Sequence, residues 1–446
     1  MKLKLLVGSM VMMGLVSTCV HADVPKTQAN TVAPNAAAST DLVTFWEGII
    51  NRNEDNASGV VLNQQNHVSA YLATQASYSA KRGSTTVFNQ SPYIDVSPNN
   101  KGKTSLSLAA AEVYFDSQVS SWARVHVATA YDSDFTGSDR DSSSFGATDM
   151  FFTEAYAELN NFQQGAPVWM YTKIGRQYLN FTSTQYNVIS APLTDALGLT
   201  NATAVTVGAI AQNGVYGDFY GYNGSPYGQD NAVTGNMPNT DSRNTIHGWG
   251  AEVGYAMTNA TQGFNVYADY IENIADTLAF NYNLYSSTGP NAWNAIFPDQ
   301  QRPGYALHAN YNTGPFAVIA DYVGMLSSFD ESVYTFNDKG ANLAAYAIEG
   351  DYTLATQNSQ TISLGYQGSQ DAVQFYAFGA SLPMPKSRVV AGYKYALSSN
   401  VTLKFEYMYD KDYAASDVAT TGALATTFAG SGASNNTVLA RMNVTF

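Results

Sequence analysis

The chain has 446 residues, 45% of them apolar and only 13% charged, against roughly a quarter charged in an ordinary soluble domain. A formal net charge of −14 disfavours nucleic acid as a partner. Beyond residue 22 no run of about 18 consecutive apolar residues occurs, which excludes a helical membrane protein.

Residues 1–22 read as a secretory signal. Lys2 and Lys4 form a charged start, LLVGSMVMMGLV is a short apolar core, and Val20-His21-Ala22 is a small-x-small cleavage site. Cys19 precedes that site; a lipid-attachment reading is the rival, but Thr18 matches a lipobox poorly. A mature chain starting near Asp23 keeps no cysteine and needs no disulfide. Residues 23–65 are expected to form a short periplasmic extension. In it, Ser39 or Thr40 could cap a helix over 39–51, with Val43, Trp46, Ile49 and Ile50 at helical spacing. Either it is a tail with one amphipathic turn, or a small lid or plug at the periplasmic mouth.

From residue 66 the apolar period becomes two. VSAYLATQASYS (68–79) places Val68, Ala70, Leu72 and Tyr78 on one face, and WARVHVATAY (122–131) sets Val125 and Val127 against Arg124 and His126. MFFTEAYAEL (150–159) sets Phe151, Ala155, Ala157 and Leu159 against Glu154, Tyr156 and Glu158. Sixteen such strands start near 66, 103, 122, 149, 167, 202, 214, 244, 263, 304, 316, 341, 359, 387, 401 and 435. Short joins such as QN and TGP alternate with long segments rich in Ser, Asn, Asp, Gly and Pro, the asymmetry of periplasmic turns and extracellular loops. An even count leaves both termini periplasmic. Tyr131, Tyr178, Tyr222, Tyr270, Tyr322 and Tyr409 fall at strand ends, as an interfacial girdle would.

The fold class is therefore all-β: a transmembrane antiparallel β-barrel of about sixteen strands over residues 66–446, in the outer membrane of a Gram-negative bacterium. The 31 Tyr, 21 Phe and 35 Gly agree with it. The rival, a secreted β-sandwich or β-propeller, lacks a blade repeat. The last stretch, TVLARMNVTF, alternates up to Phe446, like the final strand that the barrel assembly machinery takes as substrate. That machinery, outer-membrane lipid and lipopolysaccharide are the expected partners, and an oligomer of barrels is compatible with the sequence.

With each apolar face assigned to lipid, charges fall inward in two groups. Arg124, Lys173, Arg388, Lys394, Lys404 and Arg441 lie on the third, fifth and last three strands. Glu252, Asp269, Asp321, Glu349 and Asp351 lie on the eighth, ninth, eleventh and twelfth. Closure makes the basic strands neighbours and puts the acidic ones across the lumen, so a transverse field would align an anionic or dipolar solute. The competing reading is structural: such charges pair across neighbouring strands, Glu154 and Glu158 with Arg124 and Lys173, Glu406 with Lys404. Arg176 shares parity with Ile174 and would meet headgroup phosphates where its strand leaves the membrane.

No metal or cofactor site is expected. Past residue 22 the chain has four histidines, 67, 126, 247 and 308, without metal spacing, and no Gly-rich phosphate loop. His67 and Ser69 share a strand face, as in an outer-membrane lipase, but point inward and lack an orienting third group. The chain is thus expected not to be an enzyme.

Several stretches resemble the LbtU family of outer-membrane siderophore porins. They include FFTEAYAELN (151–160), KIGRQYLNF (173–181), ISAPLTDALGLTNATAVTVG (189–208), YIENIADT (270–277), NTGPFAVIADY (312–322), YAIEGDYTL (346–354), ISLGYQGS (362–369), PKSRVVA (385–391) and TLKFEYMYDKDY (402–413). The ordered series runs from about residue 66 to the end; residues 23–65 show no match. The resemblance implies a barrel without a TonB box that admits a ferric siderophore of polycarboxylate type. A basic lumen wall would suit such a cargo, since Arg offers paired donors to carboxylates. A general diffusion porin for small solutes, a hydrolase built on His67 and Ser69, and an adhesin acting through long acidic loops stand as alternatives.

Overall fold

The computed structural model describes residues 60–61, 66–81, 103–131, 150–161, 166–181, 186–223, 246, 248–258, 262–277, 302–332, 334–355, 359–373, 384–421 and 426–445. The signal, the 39–51 helix and Phe446 fall outside the described residues. Sixteen strands form the wall. They are β1 (Asn66–Lys81), β2 (Lys103–Ser120), β3 (Ala123–Tyr131), β4 (Met150–Asn160), β5 (Val168–Tyr178), β6 (Asn201–Ala211), β7 (Val215–Tyr222) and β8 (Gly248–Thr258). They continue as β9 (Gln262–Ile271), β10 (Gly304–Thr313), β11 (Phe316–Met325), β12 (Ala344–Leu354), β13 (Gln360–Gln370), β14 (Ser387–Ala396), β15 (Val401–Lys411) and β16 (Ser434–Thr445). Each pairs antiparallel with the next, and β16 returns to β1 from Tyr71↔Thr445 to Lys81↔Asn435, closing the barrel. A two-residue stub, Val60–Val61, pairs with Val68 and His67 at the start of β1. The expected strand starts differ most at β8, placed near 244 and found at Gly248.

The alternation has a physical cause. On β6, Ala202, Ala204, Thr206 and Ile210 point inward and are buried, while Val205 and Val207 point out. The outward belt includes Ile174, Phe219, Val253, Leu307, Ile348 and Leu364. A surface so apolar belongs in lipid, where every backbone donor must be paired and only a closed sheet does so. Between β10 and β11 the chain reverses over Gly314-Pro315, with Gly314 at φ 54°, a conformation glycine takes without steric cost.

Two expectations of facing are corrected. Ala128 opposes Glu154 while Thr129 opposes Phe152, so Thr153 is an extra residue in β4. This bulge turns Phe152 outward (59% exposed); the side chain of Phe151, expected outward, falls outside the described residues. Tyr222 is not a girdle residue either: it is fully buried inside, and its hydroxyl donates to Asp276 at 3.0 Å.

The Tyr and Gly content acquires a structural role. Tyr171 opposes Gly208, Tyr216 opposes Gly254, Tyr220 opposes Gly250 and Tyr222 opposes Gly248. Each ring lies over its glycine in the space a Cβ would need. The rings thus lie flat along the inner wall of β5–β8 and cover the backbone of the facing strand.

At the end of the barrel that carries the long connections, the described residues include further structure. Val418–Thr421, Thr426–Ala429, Tyr334–Phe336 and Lys339–Gly340 form a second, four-stranded sheet, where the sequence reading expected only loops. Its Asn337 and Asp338 take φ 49° and 62°, the left-handed pair of a tight hairpin turn. Under it lies an apolar cluster that includes Leu179, Phe181, Leu197, Ile271, Leu343 and Tyr413.

Candidate functional site

The described residues of the connection from β5 to β6, 179–181 and 186–200, stay inside the barrel. They fold into the lumen, and α1 (Leu193–Gly198) at their far end packs on β11, β12 and β13. The sequence predisposes them to do so. Val188, Ile189, Leu193 and Leu197 are apolar and all are buried, Val188 against Val390 and Met408, and Ile189 against Leu439. Pro192 precedes the first turn of α1 in an extended conformation, which proline adopts readily.

Backbone and side-chain donors of the loop are received by carboxylates of the wall. The Asn187 N–H donates to Glu349 Oε1 at 2.7 Å, and its side-chain amide donates to Asp351 Oδ2 at 2.7 Å. Asp351 also accepts the Ser363 hydroxyl at 2.5 Å. Both the Ile189 and Ser190 N–H groups donate to Glu406 Oε2, the latter at 2.9 Å. The Tyr186 hydroxyl donates to Asp321, whose other oxygen meets His308 Nδ1. The Leu193 N–H donates to Gln367 Oε1 at 3.2 Å. At the near end Asn180 Nδ2 and the Tyr171 hydroxyl both donate to Asp218 Oδ2, at 2.7 and 2.8 Å. Charge-assisted bonds of this kind are the strong ones. Asp321, Glu349 and Asp351 therefore anchor the loop, a role the sequence reading did not give them. Glu406, expected against Lys404, also serves the loop.

On the short-turn side of this loop tip stands a row of cations. Lys394 on β14 directly opposes Lys404 on β15, which opposes Arg441 on β16, which opposes Gln75 on β1. All four share the inward face. Lys404 lies two residues from Glu406 on the same face of β15. Arg441 donates from Nε and Nη2 to Gln75 Oε1 at 2.9 and 2.6 Å. Lys394 Nζ reaches Asn187 Oδ1 at 3.5 Å, so row and loop are in contact. Like charges placed directly opposite repel, and an anion between them relieves that repulsion.

The remaining predicted cations are engaged otherwise. Arg388 is fully buried with Asp410 in a two-pronged pair, Nε–Oδ1 at 2.7 Å and Nη2–Oδ2 at 3.2 Å. It is thus a neutralised element of the wall. Arg124 pairs with Asp116 at 2.6 Å and lies 3.7 Å from Glu158. Asp116 was not foreseen as its partner. Lys173 opposes Glu158 in register and lies 5.0 Å over the Tyr156 ring. Glu154 lies 3.6 Å from His126, not beside either cation as expected.

Of the predicted acidic residues, Glu252 and Asp269 join Asp218 in a second row of directly opposed charges, Asp218↔Glu252↔Asp269 across β7, β8 and β9. All three are buried and face inward. In a closed sheet of sixteen staves β8 stands opposite β16, so the acidic and basic rows face each other across the lumen. Asp218 was missed. Its signal was its inward parity between Tyr216 and Tyr220. Ser69 faces inward and is buried, and the His67 side chain falls outside the described residues. Among the described residues no group of three or more His, Cys, Asp or Glu is placed to hold a metal ion.

No protein-family model matches the chain. A UPF0422 protein of Coxiella burnetii is 24% identical over 349 residues, 76% of this chain and 67% of that protein. Among solved structures, the outer membrane channel DcaP of Acinetobacter baumannii aligns over 87% of this chain and 99% of that one, with a TM-score of 0.50 at 12% identity. An anion-selective porin from Comamonas acidovorans covers 85% and 99%, with a TM-score of 0.48 at 11% identity. Closure of sixteen antiparallel strands and the likeness to DcaP give the fold: a porin-like β-barrel of the outer-membrane kind.

Proposed function

We propose that the chain is an outer-membrane channel for small carboxylate-rich solutes, with a ferric siderophore of polycarboxylate type as its preferred cargo. The observation that carries this reading is the row Lys394–Lys404–Arg441 beside the inward loop tip at Asn187. A solute in the lumen would pass between that row and the acidic row of β7–β9. The choice of cargo rests on the resemblance to the LbtU family. In this reading the short turns and both termini are periplasmic, the long loops are outside, and passage involves no covalent chemistry.

The test is conductance of the reconstituted full chain in a planar bilayer. Added ferric tricarboxylate complex is expected to reduce the current in a concentration-dependent, saturable way. Deletion of the gene is expected to slow growth when that complex is the iron source. Unaltered current together with normal iron-limited growth would remove the siderophore. A second reading, a general diffusion porin, is favoured by the likeness to the DcaP channel fold. It expects similar flux of neutral and anionic solutes of one size. Phospholipid turnover abolished by Ser69→Ala would replace both readings with a hydrolase.

A further inference from the structure

The outer face of the barrel carries a notch that the channel reading does not use. At the long-loop end one outward row runs Tyr346↔Gly368↔Ser387↔Lys411↔Ser434 across β12 to β16. Two small members, Gly368 and Ser387, stand between the tyrosine and the lysine; the Tyr346 ring lies over Gly368, and the wall recedes beside it. The recess measures about 430 Å³ and is lined in part by Tyr346, Tyr366, Lys386, Ser387 and Lys411. The Tyr346 and Tyr366 rings lie 6.0 Å apart on one side. Lys411 is exposed, and Lys386 is 55% exposed, with a 3.5 Å rim pair to Asp417 of little energetic weight and its Nζ 5.5 Å over the Tyr413 ring. The Asp412 carboxylate also lines the recess, and it is taken up by the Tyr413 N–H and by the Ser431 N–H and hydroxyl. It does not compete for the lysines. Towards the middle of the barrel the notch continues into the apolar belt through Val389 and Leu364.

We infer that this notch binds the phosphorylated headgroup of a glycolipid in the outer leaflet, with Lys386 and Lys411 on the phosphate and the acyl chains on the belt below. Lysine is a point-charge phosphate binder, and tyrosines at the lipid–water boundary suit the sugar and upper acyl region. A free phosphate ion would gain nothing from the adjoining belt, whereas an anchored headgroup uses both. The assignment to the outer leaflet rests on the orientation proposed above.

Native mass spectrometry of the full chain in detergent, titrated with bis-phosphorylated lipid A, tests this. Saturable binding is expected. Lys386→Gln with Lys411→Gln should weaken it about tenfold, the effect of roughly 1.4 kcal/mol shared by two exposed charges. Lipid A without phosphates should bind the unaltered protein as weakly. Ser387→Trp keeps both lysines but fills the notch, and should also lose the lipid. Equal affinity across the proteins overturns the site, and so does displacement of the lipid by equimolar inorganic phosphate. Heat-modifiable gel mobility checks that each variant is folded. Labelling of Thr427→Cys on intact cells reports orientation separately: failure there overturns the outer-leaflet assignment while leaving the lipid titration standing. Conductance of the lysine variant should be unchanged, so loss of the channel reading shows independently.

Discussion

Lys394, Lys404 and Arg441 stand side by side between two neutral neighbours, Thr361 and Gln75. A unit charge about 4 Å away is worth about 1 kcal/mol even in water. Replacing all three by Gln should therefore lower the anion-over-cation permeability by at least about fivefold at low salt. The shift should shrink near 1 M salt, where screening acts within about 3 Å. Reversal potentials across a salt gradient measure it. Arg388 makes the contrast. Asp410→Asn strands a buried guanidinium and should cost about 3–5 kcal/mol, read as earlier heat or urea unfolding. It should leave the reversal potential nearly unmoved until the barrel opens, because the native pair is neutral. Parity alone put Arg388 and Lys394 on one inward face and could not tell them apart. The difference lies in what opposes them: Asp410 faces Arg388, and Lys404 faces Lys394.

The β5–β6 loop is bonded to inward-facing carboxylates of the wall. Glu406 receives two of its backbone donors. Glu406→Ala should free the tip at 189–190 and raise single-channel conductance, with strand content by circular dichroism unchanged. The sequence concealed this loop because the alternation that betrays a strand has no counterpart in a segment folding inward irregularly. Only the recurrence of apolar residues between Val188 and Leu197 hinted that it was not an outside excursion. The long-loop sheet offers a second test. Burial pushes the Tyr413 phenol from its ordinary 10 up to about 12, while its oxygen accepts the Ala372 N–H at 3.1 Å. A raised phenol contributes stability that is full below pH 10 and lost as pH rises through 12. Alkaline titration should loosen the packing around Tyr413 within that window while the barrel strands persist, as read by tyrosinate absorbance alongside circular dichroism.

For the whole molecule, period-two alternation and the rhythm of short and long connections made the barrel legible, because lipid on one side and a polar lumen on the other impose opposite demands on successive residues. Register, bulges and the Tyr-over-Gly pairs were not legible. They depend on which residues face each other across strands far apart in sequence. The inner loop has one more consequence at this scale. It is fixed near one end to Asp218 on β7 and at its tip to Glu406 on β15, staves on opposite sides of the circumference. A segment secured at both ends of a diameter acts mechanically, as a spoke acts in a rim. Lateral pressure from a crowded membrane would flatten an unbraced cylinder towards an ellipse. Here a flattened wall would shift Asp218 and Glu406 against the loop residues they hold, so bonds made inside the lumen resist a change of cross-section.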